Sequence, residues 1–179
     1  MVYVFLADGF EEVEALTPVD MLRRVGVEVI TAGVGKREIV GAHNISVTAD
    51  ILASEALPEK AEMVVLPGGL PGTTNLQTDV YVQKAVDTMI ANGGYVAAIC
   101  AAPMILGEKG LLKGKNATCF VGFEDKLIGA NYTGEPVCVD GKVITARSAG
   151  VALDFAFELV RVLKDDETVS SLKGKLLCR

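Results

Sequence analysis

Gly93-Gly94-Tyr95-Val96-Ala97-Ala98-Ile99-Cys100-Ala101-Ala102-Pro103-Met104-Ile105-Leu106 decides how this chain is read. A glycine pair precedes a short apolar run, Tyr95 to Ile99, which is the pattern of a strand covered on both faces. Pro103 stands just inside the next apolar stretch, where the first turn of a helix tolerates a residue without an N–H. The stretch is therefore a strand, a sharp turn and a helix, with Cys100 at the corner.

Working outward, the same alternation recurs. Val2 to Ala7 reads as a buried first strand and Asp8-Gly9-Phe10 as a turn. Glu11 to Gly26 follows as a helix with Val13, Leu16, Leu22 and Val25 in one stripe and Gly26 beyond its end. Pro18 predicts a break or kink, so that this helix begins in earnest near Thr17. Val27 to Ala32 is a second strand, and Glu38 to Ala53 a less regular strand or hairpin excursion. Met63 to Leu66 is another buried strand that runs into Pro67-Gly68-Gly69-Leu70-Pro71-Gly72, a loop whose glycines permit close approach of another group.

Asp79 to Asn92 has helical spacing. The helix after Cys100 is expected to run to Lys109 and stop at Gly110. Ala117 to Phe120 reads as a strand. Pro136 to Ala146 reads as a hairpin about Asp140-Gly141. Ala149 to Leu163 is the last long helix, with Leu153, Ala156, Val160 and Leu163 inward. A short helix is expected around Thr168 to Leu172. Strands alternating with helices predict a single α/β domain over 1–179, with a mostly parallel sheet between two helical layers. Ligands in such folds sit at the carboxyl ends of strands. Three loops qualify: Asp8 to Glu14, Pro67 to Gly72, and the corner at Cys100.

Composition narrows the function classes. Half of the 179 residues are hydrophobic and 22% are charged, which fits a globular domain. The net charge of −6 without a basic cluster argues against nucleic acid and anionic membrane surfaces as partners. No apolar run reaches membrane-spanning length, and Met1 leads into Val2 to Leu6 without a basic leader, so neither a span nor a signal peptide is expected. The four cysteines, Cys100, Cys119, Cys138 and Cys178, form no C-x-x-C pair. They read as reduced thiols of a cytoplasmic protein, with no metal site.

Cys100 has two readings. Free cysteine is often a small buried hydrophobe. A thiol at a strand-to-helix corner, however, faces the free N–H groups of the helix start, whose partial charge favours thiolate. The corner resembles the nucleophile elbow of hydrolases with Cys in place of Ser, although the G-x-S-x-G spelling is absent.

GFEEVEALTPVDMLRRVGVEV, VVLPGGLPGTTNL and AAICAAPMIL, in this order, resemble the DJ-1 branch of the DJ-1/ThiJ/PfpI superfamily. The likeness covers nearly the whole chain, including ITARSAG before the closing helix. It implies a flavodoxin-like three-layer α/β/α sandwich of the class I glutamine-amidotransferase type, a homodimer and no cofactor. By the same resemblance Cys100 matches the elbow nucleophile and Glu14 the acid that approaches its sulfur. Gly68 and Gly69 match the glycines whose N–H groups face the reacting centre, and Ala101 joins them as an oxyanion or substrate-binding position. Glu14 would then be held protonated, or share its proton, and donate to sulfur.

Some relatives carry a histidine after the elbow where this chain has Phe120. The single histidine, His43, lies elsewhere and reads as exposed or interfacial. Without a positioned histidine a cysteine peptidase or amidase lacks its base. The activity implied is of glyoxalase or deglycase type, on 2-oxoaldehydes such as methylglyoxal and glyoxal or on their adducts with protein or amino acid. The alternative is a redox sensor or chaperone-like protective protein acting through oxidation of Cys100.

Overall fold

The structure is a computed structural model that describes residues 1–178. Strand β1 (Val2–Leu6) is flanked by β2 (Val29–Gly33) and β6 (Met63–Leu66), both parallel to it. Three short strands separate β2 from β6: β3 (Glu38–Val40), β4 (Ser46–Thr48) and β5 (Ile51–Leu52). β3 and β4 form a hairpin outside the main sheet, and β5 pairs with β2. Strand β7 (Tyr95–Ile99) lies beside β6.

Two more two-residue strands, β8 (Asn116–Ala117) and β9 (Asn131–Tyr132), pair with each other. The hairpin β10 (Val137–Asp140) and β11 (Val143–Ala146) completes the main sheet. The order is β10-β11-β7-β6-β1-β2-β5, and only β10 runs antiparallel to its neighbour.

The helices are α1 (Glu12–Arg24), α2 (Gly72–Thr78), α3 (Val80–Ala91), α4 (Pro103–Glu108), α5 (Ala152–Leu163) and α6 (Asp166–Lys175). The period-two alternation of β1 sorts its side chains between two cores. Val2, Val4 and Leu6 face one core with Leu22 of α1, Phe155 of α5 and Leu172 of α6. Tyr3 and Phe5 face the other with Leu76 of α2, Val86 of α3 and Ile105 of α4. This is the expected three-layer α/β/α sandwich. Asp79 caps α3 by accepting from the N–H groups of Tyr81 and Val82, so the helix starts where the sequence placed it.

Several expectations need correction. α1 runs unbroken through Pro18, because Pro18 belongs to its buried face with Ala15, Val19 and Leu22. Packing of that face against α5 offsets the roughly 3 kcal/mol that an interior proline costs. The buried stripe is rotated from the one expected, leaving Val13 49% exposed. Leu153 of α5 also points outward, while Phe155, Ala156, Leu159 and Val160 point in. The strand expected over Ala117 to Phe120 shrinks to β8. The N–H of Thr118 goes to the Thr145 hydroxyl and that of Phe120 to the Cys100 carbonyl. α2 was not foreseen, and α6 is longer than the short helix expected. No helix among the described residues is long and apolar enough to cross a membrane.

Candidate active site

The carboxyl ends of β1, β6 and β7 bring three segments together. Cys100 follows β7 with φ at 65°, in the left-handed region that L-residues rarely occupy. Both of its peptide groups are tied: its N–H donates to the Ala146 carbonyl and its own carbonyl accepts from Phe120, each at 2.8 Å. The strained corner is thus fixed by β11 on one side and the segment after β8 on the other.

Glu14 lies in the first turn of α1 and is 1% exposed. Its Oε2 accepts from the Gly68 N–H at 2.9 Å. Its other oxygen, Oε1, is buried with no hydrogen-bond partner among the described residues, and the carboxyl lies close enough to the Cys100 thiol for each to shift the other's titration. Gly68 is wedged between the two reactive groups. A Cβ there would lie 2.5 Å from Glu14 Oε2 and 2.6 Å from Cys100 Cβ, so only glycine fits. Gly69, with φ at 87°, approaches so closely that a Cβ would meet the Glu11 nitrogen at 2.4 Å. The backbone N–H groups of Ala101 and Gly69 lie near enough to the Cys100 sulfur to favour its charged form. The elbow therefore holds one thiol, one buried carboxyl and two backbone amides near the sulfur. Gly68, expected to face a reacting oxygen, instead uses its N–H to hold Glu14.

Burial pushes the Glu14 carboxyl up to about 7, against the pull of the Cys100 thiol and the Gly68 N–H. Burial, and then the neighbouring Glu14 charge, push the Cys100 thiol up to about 12. The expectation of a thiol below its ordinary range is therefore not met. The two titrate as a pair: one proton leaves near 7 and the second stays until about 12. Between those limits the pair carries a single negative charge, on the Glu14 carboxylate, while the Cys100 thiol keeps its proton. The amides of Ala101 and Gly69 favour the arrangement with charge on sulfur.

The histidine is placed elsewhere. His43 sits in the turn between β3 and β4 with its side chain 67% exposed, and its Nδ1 lies 2.9 Å from Glu12 Oε2. Its backbone N–H donates to Glu12 Oε1 at 2.8 Å. Ligand atoms of Glu11, Glu12 and His43 lie within 4.8 Å of one another. Both Glu12 oxygens are already bonded to His43, so the cluster is a clamp that seats the β3–β4 turn on the start of α1. Sequence reasoning missed it, although an acid pair ahead of a helix and a lone histidine in a hairpin were both in view. Phe120 contributes its N–H to the Cys100 carbonyl, and its ring is 41% exposed.

Several known proteins are similar to this chain. Protein DJ-1 homolog B of Arabidopsis thaliana is 37% identical over 181 residues, covering 99% of this chain, and the chain spans 41% of that longer protein. Deglycase PfpI of Pyrococcus furiosus is 36% identical over 164 residues, 88% of this chain and 96% of the relative. A glutathione-independent glyoxalase of Caenorhabditis elegans is 29% identical over 170 residues, 94% of this chain and 90% of the relative. The crystal structure of Drosophila melanogaster DJ-1beta superposes with a TM-score of 0.93 at 31% identity, over 99% of this chain and 97% of that one. The profile of the DJ-1/PfpI family matches residues 1–162, which takes in β1, the glycine loop, the elbow and the segment that tethers it. A strand–cysteine–helix corner, a buried acid on the first helix and that match over most of the sequence place this chain in the DJ-1/PfpI family.

Proposed function

We propose that this protein converts 2-oxoaldehydes, methylglyoxal foremost, or their early adducts into 2-hydroxy acids without a cofactor. One observation carries the reading: a fully buried acid, Glu14, held by the Gly68 N–H, sits against the Cys100 thiol with only the space of a glycine between them. The deglycase and glyoxalase names of relatives at 29–36% identity point the same way.

The chemistry follows from the groups present. Glu14 takes the thiol proton as the Cys100 sulfur attacks the aldehyde carbon, forming a C–S bond and an alkoxide. The N–H groups of Gly69 and Ala101 would receive that oxygen, and the proton now on Glu14 neutralises it. The carboxylate then removes the hydrogen from the former aldehyde carbon and returns it to the adjacent carbonyl carbon. The result is a thioester of the 2-hydroxy acid. Water cleaves it, restoring the thiol and releasing lactate when the substrate is methylglyoxal. No histidine is required, which matches the engagement of His43 with Glu12.

The test is lactate production from methylglyoxal by cofactor-free protein, with the chirality of the product determined. Single-handed lactate that disappears in Cys100→Ser supports the reaction. Racemic lactate at the buffer rate, unchanged in Cys100→Ser, overturns it.

The same two amides favour a second reading, a redox-responsive protein in which Cys100 is oxidised to sulfinate and the new oxygens are held by Gly69, Ala101 and protonated Glu14. Mass spectrometry after mild peroxide treatment would then find the oxidation concentrated at Cys100. Equal oxidation of all four cysteines would count against it.

A homodimer is part of our reading. Val13 and Ile45, 49% and 53% exposed on α1 and the adjoining β3–β4 turn, are apolar surface that a second copy would cover. Light scattering on the purified protein decides this.

A further inference from the structure

A cleft of 270 Å3 opens beside the elbow, lined by Cys119, Phe120, Val121, Tyr132, Arg147 and Ser148. Its walls are joined to the reactive pair through the backbone. Phe120 donates its N–H to the Cys100 carbonyl, and the Ala146 carbonyl accepts from the Cys100 N–H. The next two residues, Arg147 and Ser148, line the cleft, and the backbone of Ala149 after them comes near enough to Glu14 to lower its pKa. The segment Ala146 to Ala149 thus runs from sulfur to carboxyl with the cleft on its flank. No step of the proposed reaction uses this space.

The lining is two-sided in character. Phe120, Val121 and Tyr132 are 41%, 73% and 47% exposed and offer an apolar wall. Arg147, on the same cleft, is exposed, and among the described residues its guanidinium reaches only the Gly134 carbonyl, at 3.4 Å. It is the one cation of the lining. The start of α1, which supplies Glu14 to the active site, also carries Glu11 and Glu12, so an anionic group on a substrate is repelled there and attracted to Arg147. A guanidinium fork with a serine hydroxyl beside it matches a planar, singly charged carboxylate. A doubly charged phosphate would call for more than one cation.

We infer that this cleft is a subsite for the carboxylate-bearing tail of the substrate, with Arg147 as its specificity-determining residue and the aromatic wall covering the tail's apolar stem. Resting on the proposed reaction, the inference names its substrate class: adducts of 2-oxoaldehydes with free amino acids or small thiol acids. It ranks these above adducts on protein side chains, where the α-carboxylate is locked in a peptide bond.

The test uses alkylation of Cys100, which needs no turnover. Native protein is treated with N-iodoacetylglycine, which carries a carboxylate, or with its neutral isostere N-iodoacetylglycinamide, and the rate at Cys100 is read by mass spectrometry. In the wild type the anionic reagent should react roughly tenfold faster than the neutral one, the size expected for one charge-assisted contact. That ratio should collapse toward one in Arg147→Gln and be largely restored in Arg147→Lys. Equal rates in the wild type, or a ratio that survives in Arg147→Gln, overturn the subsite. Unfolding of a variant would show as fast alkylation of the buried Cys119, and the wild-type ratio then decides alone. Absence of lactate from methylglyoxal would sink the reaction while leaving the ratio informative, so the two failures are distinguishable.

Discussion

Glu12 and Glu14 stand two residues apart in the first turn of α1, and both are buried, 5% and 1% exposed. They titrate in opposite directions. Burial would raise Glu12, but the ring and backbone N–H of His43 bond both its oxygens and hold it below the usual carboxylate range. Glu14 has the Gly68 N–H on one oxygen and no hydrogen-bond partner on the other among the described residues, which is not enough to offset its burial, and it rises to about 7. Burial alone does not decide the state of an acid. The number of committed donors does. One carboxylate is thereby held in its charged form as a structural group, and its neighbour is poised to exchange a proton near neutrality.

The sharpest way to break this comparison is Glu14→Gln. Lactate formation should fall by a factor on the order of 10² to 10⁴, the range for losing a positioned acid–base group. The step near 7 in the pH profile of Cys100 alkylation should vanish with it. A loss below tenfold would remove Glu14 from the chemistry.

The next effect is on stability, and its sign is set by the raised value. Below the ordinary pKa of 4.5 the Glu14 carboxyl is neutral in both folded and unfolded chains. Between 4.5 and about 7 only the unfolded chain releases the proton, so stability is lost as pH rises, by about 3 kcal/mol in all. Urea unfolding of Glu14→Gln should therefore show a variant less affected by the rise from pH 4 to pH 8 than the wild type. Glu12→Gln should do the reverse, since a depressed acid stabilises above its ordinary pKa and loses that contribution as pH falls. Parallel profiles for the two variants would erase the distinction.

Gly68→Ala sharpens the same contrast from the backbone side. Its Cβ would press on Glu14 Oε2 and Cys100 Cβ. We expect a stability loss of about 1–3 kcal/mol, the range for overpacking, and a fall in lactate formation of roughly ten- to a hundredfold. Wild-type activity in this variant would mean the pair tolerates separation.

The smallest effect is reserved for His43→Ala, which deprives Glu12 of its ring partner and leaves Glu14 and Cys100 in place. Turnover should change by less than about threefold. A raised histidine stabilises below its ordinary pKa and ceases to as pH climbs through the raised value, so the deficit of the variant should be larger at pH 5 than at pH 9.

How much of this could be read from residues alone varies by element. The β7 strand and the Cys100 corner were legible because a β-run, a small-residue turn and a proline at the first helical position all agree. The alternating strands were legible for the same reason. Glu14 was not, since Glu11, Glu12 and Glu14 are chemically alike and only the fold decides which carboxyl meets sulfur; the family resemblance supplied that choice. α2 escaped because Gly72-Thr73-Thr74-Asn75 has low helix propensity and is held by tertiary packing of Thr73 and Leu76. Pro18 misled because local preference was outvoted by a buried helix face. The division of labour between Gly68 and Gly69 was invisible, because it depends on where each N–H points.

The left-handed corner has one more consequence. Residue 100 occupies a backbone conformation where glycine would be more comfortable than any residue with a side chain, yet glycine would carry no sulfur. A Cys100→Gly chain should fold without complaint and be chemically silent. The position is where the polymer's conformational preference and the protein's reactivity pull in opposite directions.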